Sequence, residues 1–196
     1  MTETDALLAR NGYLCQPLHR DHVTMFFDTS RPCGLAEWLN DKALIYQAED
    51  LCQVWVLVSD ENTNDVLGYF TLSAHSLETA AVSKDHRALS RQNRGIVGAH
   101  DNLPAHLLGK FALDGSLQGQ GLGVLLMACV YDRYLQSAHS GGSKLLVLHT
   151  REPGLLAYYT KQYGFVAASG QPTGGLTAMY KTREGVQRDL DDALRK

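Results

Sequence analysis

The sequence predicts an α/β fold built around a mixed sheet. Three stretches carry that expectation: a hairpin-like run at Cys52–Leu77, a strand–glycine turn–helix–strand crossover from Leu107 to Thr150, and short strands that close the chain between Tyr163 and Thr182.

In chain order, "GLAEWLNDKALIYQAED" (Gly34–Asp50) places Leu35, Trp38, Leu39, Ala43, Leu44 and Tyr46 at mostly helical spacing behind the turn-prone "DTSRPCG", which predicts a helical hairpin or one long helix. "CQVWVLVSD" and "VLGYFTLSAHSL" are rich in β-branched and aromatic residues and flank the polar "ENTND", so they read as two antiparallel strands. Ser83–Pro104 is polar and irregular, with Lys84, Arg87, Arg91 and Arg94 against Asp85 and Asp101, and reads as a long surface loop with room for a short helix. "HLLGKFALD" is a further strand. After it, Val124, Leu125, Met127, Ala128, Val130, Tyr131 and Leu135 recur at spacings of three and four and mark one face of a helix, which "SGGS" ends at 140–143. "KLLVLHT" is a near-continuous apolar run and reads as a buried strand. A strand–helix–strand crossover places Leu107–Asp114 and Lys144–Thr150 parallel and adjacent. A helix from about Gly154 to Gln162, a strand at "YGFVAAS", a turn at "GQPTGG" and a last strand at "LTAMYKT" complete the core. The charged tail 183–196 reads as an exposed or frayed helix outside a single domain over 1–182.

Composition narrows the function. A chain of 196 residues with 44% apolar residues buries one good core, and no run approaches the roughly 20 apolar residues of a membrane span. With no basic leader followed by an apolar run, the expected location is cytoplasmic, away from membranes. Cys15, Cys33, Cys52 and Cys129 are scattered without zinc-site spacing, which predicts reduced thiols and no metal. The formal charge of −3 argues against a uniformly nucleic-acid-coated surface, but leaves room for a local basic patch.

The chemistry-bearing stretch is "LQGQGLGVLLM". A helix start leaves backbone N–H groups unpaired and carries partial positive charge, so a turn of small residues there is an anion site. Gly121 and Gly123 are expected in the first turn of that helix, where the absence of side chains lets a pyrophosphate approach the amides.

Two segments carry a family resemblance. "LGKFALDGSLQGQGLGVLLM" resembles the acetyl-CoA-binding motif of the GNAT acyltransferases (Gln or Arg, two residues, Gly, one residue, Gly or Ala), matched by Gln118, Gly121 and Gly123. "LLVLHTREPGLLAYYTKQYGF" is similar to that family's following strand and helix, which end in Tyr, a few residues, and Gly-Phe. The resemblance implies a GNAT-like, mostly antiparallel sheet with a central, splayed parallel strand pair flanked by helices. It further implies that Gln118, Gly119, Gln120, Gly121, Leu122 and Gly123 hold the pyrophosphate of acetyl-CoA, the acyl donor. The pantetheine arm would pair with the backbone of Phe111, Ala112 and Leu113. A tyrosine would protonate the departing thiolate. The family's usual tyrosine position falls on Thr160, which leaves Tyr159 and Tyr158 as candidates, with Tyr159 preferred because Tyr158 then matches the apolar residue before it. His149, ending the strand beside the slot, is the candidate base for the incoming amine.

The N-terminal half, from "FFDTSRPCGLAEWL" to "GYFTLSAHSLE", is similar to the GNAT toxins of bacterial type II toxin–antitoxin pairs, through Phe27, Cys33, Gly34, Trp38, Leu39, Gly68, Tyr69, Thr71 and Leu72. That resemblance implies acetylation of the α-amino group of aminoacyl-tRNA, an antitoxin partner and a homodimer. Lys84, Arg87, Arg91, Arg94 and Lys110 would meet the acceptor stem, and Trp38 would border the acceptor. Two further readings stay open on the residues: an N-acetyltransferase of a small-molecule or peptide amine, and a coenzyme A-binding module without turnover.

Overall fold

Seven strands form one sheet in the order β1-β2-β3-β4-β5-β7-β6. The computed structural model describes residues 1–24, 34–87, 102–170 and 174–195. Its strands are β1 (Tyr13–Pro17), β2 (Gln53–Ser59), β3 (Val66–Glu78), β4 (Asn102–Leu113), β5 (Leu145–Thr150), β6 (Val166–Ala167) and β7 (Thr177–Thr182). The helices are α1 (Glu3–Arg10), α2 (Leu35–Asp41), α3 (Ala43–Ala48), α4 (Lys84–Arg87), α5 (Leu122–Gly141), α6 (Pro153–Tyr163) and α7 (Arg183–Leu194). Pairing is antiparallel for β1–β2, β2–β3, β5–β7 and β6–β7, whereas β4 and β5 are the parallel pair that the crossover predicts.

The chain divides into two compact units. The first comprises Met1–Ser73, Leu108–Arg133 and Asp189–Lys196. Along its β2, Val54, Val56 and Val58 are wholly buried and pack with Leu39, Ala43, Tyr69 and Ala112, so the period-two alternation of the strand sets one face of this core. The second unit comprises Ala74–Leu107 and Tyr134–Arg188. Its core joins Leu77, Leu103, Ala105, Leu145, Val147 and Tyr180.

Several expectations are refined or corrected. The segment Gly34–Asp50 is two short helices that meet at Lys42. The strand expected from His106 begins earlier, at Asn102, because Leu103 and Ala105 are buried while Asn102 and Pro104 face out. Gly121 precedes the first helical residue of α5 instead of lying inside its first turn. "YGFVAAS" contributes only Val166 and Ala167 to the sheet, since Tyr163 still belongs to α6. The tail is neither exposed throughout nor frayed: Val186 and Leu190, one turn apart on α7, are buried, and its charges take the other face. α1 and β1 were absent from the expectation. Thr2 and Asp5 form a reciprocal capping box at the start of α1, and β1 pairs with β2 from Tyr13 opposite Ser59 to Pro17 opposite Trp55.

Candidate active site

In the first unit, β4 ends at Leu113 and a single 3-10 turn, Gly115–Leu117, leads to the glycines. Asp114 caps that turn by accepting from Ser116 N–H at 2.9 Å. Both glutamine side chains brace the loop against itself: Gln118 Nε2 donates to Leu113 O at 3.3 Å, and Gln120 Nε2 to Ser116 O at 2.8 Å. Gly119 and Gly121 have φ of +79° and +86°, and a Cβ at either would meet nothing within 4 Å. Their requirement is therefore conformational, since side chains other than glycine rarely adopt these angles, and the space beside them is open. The backbone N–H groups of Gly119, Gln120, Gly121 and Leu122 have no intramolecular acceptor among the described residues. Four orphan donors on an exposed turn at the head of a 20-residue helix fit an anion such as a pyrophosphate.

Elsewhere in the same unit, Lys110 Nζ sits 5.3 Å from the centre of the Trp38 ring. Trp38 stacks on Tyr69 at 6.0 Å and meets Tyr46 edge-on at 5.4 Å, while Tyr69 OH donates to Leu35 O. Trp38 is thus part of an aromatic cluster whose cation is Lys110. Among the other candidate basic residues, Lys84 is exposed at the start of α4 and Arg87 lies on the same helix, whereas Arg91 and Arg94 lie outside the described residues. Phe27 and Cys33 also lie outside them.

In the second unit, α6 carries Tyr158, Tyr159 and Tyr163. Tyr158 and Tyr163 hydroxyls pair with each other at 3.3 Å, but the Tyr159 hydroxyl has no hydrogen-bond partner among the described residues. Tyr159 is partly buried against Tyr158, Tyr163 and Phe165, with ring centres 5.6 to 6.1 Å apart. Burial, reinforced by the neighbouring Tyr158, pushes its pKa up to about 12. Tyr158, by contrast, is 45% exposed.

α6 ends in a left-handed glycine cap. Gly164, at φ +65°, donates to Thr160 O at 3.1 Å, and Phe165 N–H reaches Tyr159 O at 3.2 Å, six residues back. The first of these is the ordinary left-handed cap of a glycine-terminated helix, and the second closes the chain over it. Lys181, buried on β7, donates through Nζ to Tyr163 O and fixes the same turn.

His149, next to last in β5, has its ring 5.5 Å from that of His75 on β3, edge to face. Solvent reaches the His149 ring, yet the protein packed around it holds its pKa below the ordinary 6.5. His75 is lowered as well, first by burial and then by His149. Motif reading did not single out His75, because nothing local in the sequence ties it to His149. No group of three or more metal-ligating side chains occurs among the described residues.

No family model matches the chain. It is 28% identical over 139 residues to a tRNA-acetylating toxin of Mycobacterium tuberculosis (strain ATCC 25618 / H37Rv), which covers 71% of this chain and 75% of that protein. Among solved structures, it is similar to AtaT complexed with acetyl-methionyl-tRNAfMet, with a TM-score of 0.74 and 21% identity over 90% of this chain and 98% of that one. It is also similar to an AtaT toxin, solved as a tyrosine-to-phenylalanine mutant bound to the C-terminus of the antitoxin AtaR and acetyl-CoA. There the TM-score is 0.69 and the identity 20%, over 90% of this chain and 97% of that one. These likenesses show the fold, that of the GNAT acyltransferases.

Proposed function

We propose that the protein is an acetyl-CoA-dependent N-acetyltransferase whose acceptor is the α-amino group of an aminoacyl-tRNA, and that it is a cytoplasmic toxin restrained by an antitoxin protein. The observation that carries this reading is the row of orphan amides from Gly119 to Leu122, held open by two left-handed glycines at the head of α5. A substrate with a pyrophosphate satisfies those donors without any side-chain charge. The nature of the acceptor is supported by the relatives, one named for acetylating tRNA and one solved with acetyl-methionyl-tRNA.

In this reading Gln118–Gly123 hold the pyrophosphate of acetyl-CoA, and Phe111, Ala112 and Leu113 pair with its pantetheine arm as an added strand would. Acetyl-CoA supplies the acetyl group as a thioester. The acceptor nitrogen bonds to the acetyl carbon as the carbon–sulfur bond breaks. Negative charge that builds on the thioester oxygen is met by a backbone N–H near Leu113, a type of donor worth about 2.7–4 kcal/mol in a dry site. Tyr159 gives its proton to the departing thiolate, its raised pKa keeping it protonated at neutral pH. His149, held neutral, takes the proton that the amine loses. Among the tyrosines, Tyr159 is preferred because its hydroxyl is unengaged on a partly buried ring, whereas that of Tyr158 pairs with Tyr163. Lys84, Arg87, Arg91, Arg94 and Lys110 meet the tRNA phosphates.

The test is to incubate the protein with labelled acetyl-CoA, total charged tRNA, a polyamine mixture and free amino acids. Label in the charged tRNA, with binding that weakens steeply as salt rises, supports the reading. Label confined to free amines, or in no pool, would overturn it.

A further inference from the structure

Two thiols of the first unit, far apart in sequence, meet on one face of the sheet. Cys15, Leu57 and Gly68 are register partners across β1, β2 and β3, so they form one row on that face. Leu14, the neighbour of Cys15, takes the opposite face, where it packs with Val54, Val56 and Val58. The row is covered by α5, since a Cβ built on Gly68 would stand 3.4 Å from Leu126. Cys129 lies one turn beyond Leu126 on that helix, buried, and its thiol is hydrogen-bonded to that of Cys15. Arg133, a further turn on, ties the same two elements. Its Nη2 reaches Cys15 O at 3.5 Å, and its guanidinium lies 4.5 Å from the centre of the Trp55 ring, opposite Pro17 of β1. Cys15 is half-buried and is the member of the pair that solvent reaches. Cys52 packs against the core on the other face.

We propose that Cys15 and Cys129 form a reversible oxidation site, closing to a disulfide that staples β1 to α5 when the folded chain meets a peroxide. The Cys15 sulfur, as thiolate, attacks one peroxide oxygen; the O–O bond breaks, hydroxide leaves, and Cys15 becomes a sulfenic acid. The Cys129 sulfur then bonds to the Cys15 sulfur as the S–O bond breaks, and the Cys129 proton leaves with that oxygen as water. The hydroxide takes up the proton that Cys15 lost. Two thiols thus give up two electrons in all, and one peroxide becomes two waters. A thiol reductant reverses the bond by exchange. The contact with Cys15, and then burial, hold the Cys129 thiol well above its ordinary pKa, which leaves the first attack to Cys15. The bond closes a loop of roughly 110 residues, and a long loop is where a cross-link restricts the unfolded chain most. In a reducing compartment such a bond is transient and forms when oxidant rises. The proposal is independent of the acceptor reading above.

The experiment uses the whole chain, reduced and freed of reductant, then exposed to hydrogen peroxide under native conditions. Remaining thiols are blocked with N-ethylmaleimide in denaturant, and the chain is digested without reduction for mass spectrometry. The Cys15 and Cys129 peptides are expected joined and two hydrogens lighter than their sum, with the Cys52 peptide alkylated and unjoined. Dithiothreitol should separate the joined pair. The oxidised chain should unfold in urea at a midpoint roughly 1 M above that of the reduced chain. Cys15→Ser should abolish the joined peptide, and Cys129→Ala should leave Cys15 as a sulfenic acid that dimedone labels. Urea unfolding of the reduced variants shows that each is folded, and the wild-type chain alone decides the matter should one not be. Cys15 and Cys129 peptides recovered apart after peroxide, whether alkylated or carrying added oxygen, would overturn the proposal. So would a joined peptide that forms only in urea, or a midpoint that falls on oxidation.

Discussion

Tyr159 and Tyr158 are adjacent in sequence but differ physically. One hydroxyl is unengaged on a partly buried ring, whereas the other is paired with Tyr163 on a ring that is 45% exposed. Tyr159→Phe removes the proposed acid and should lower kcat by about 10²–10⁴-fold with the acetyl-CoA Kd unchanged, whereas Tyr158→Phe should cost less than about threefold; steady-state kinetics and calorimetry on the two variants check this. The reverse pattern would move the acid role to Tyr158. Motif spacing leaves both residues as candidates and favours Tyr159, since Tyr158 then matches the apolar residue before it. What motif spacing does not encode is that the Tyr158 hydroxyl is paired with Tyr163. His149 was legible as the end of a strand, but its brace His75 was not, since only the sheet brings the two rings together.

Two glycines control whole elements. Alanine at Gly121 meets no neighbour, so its cost is the left-handed φ of +86°, about 1–2 kcal/mol for a residue with a Cβ. The turn is expected to relax and its amides to diverge. Gly121→Ala should therefore raise the acetyl-CoA Kd by about tenfold, equivalent to roughly 1.4 kcal/mol, as read by calorimetry. Alanine at Gly164 meets both φ +65° and Lys181 Nζ 3.1 Å from the new Cβ, at the cap that holds α6. Gly164→Ala should lower the urea midpoint by an amount equivalent to about 1–2 kcal/mol, and reduce kcat through Tyr159. At this scale the sequence was informative where periodicity was strong. The apolar runs of β5 and α5 fixed those elements to within a residue or two. It was less so where one signal hid another. The charges of α7 masked the buried pair Val186 and Leu190, Pro104 disguised the start of β4, and the capping box of Thr2 and Asp5 was readable but passed over.

For the molecule as a whole, His22, His75, His106 and His149 all have pKa values below the ordinary 6.5, in each case chiefly through burial. The unfolded chain therefore takes up protons first as pH falls, so the stability from keeping these rings neutral is full above about 6.5 and declines as pH drops through the folded values. Urea midpoints should fall between about pH 7.5 and about pH 5.5, and kcat should lose its His149 limb over the same range. A rising midpoint toward acid would contradict this. The mixed sheet was predictable at this scale because a strand–helix–strand crossover has one common solution, and the parallel β4–β5 pair follows it. The acceptor was not. Net charge averages over the surface and does not say what a basic stretch such as Lys84 to Arg94 would meet. The central claim is that main-chain amides at the mouth of α5 grip a pyrophosphate, and calorimetry with acetyl-CoA and with acetyl-pantetheine, which lacks the pyrophosphate, tests it most directly. The account predicts that acetyl-CoA binds at least about 100-fold more tightly, equivalent to roughly 2.7 kcal/mol; equal affinity for the two thioesters would contradict it.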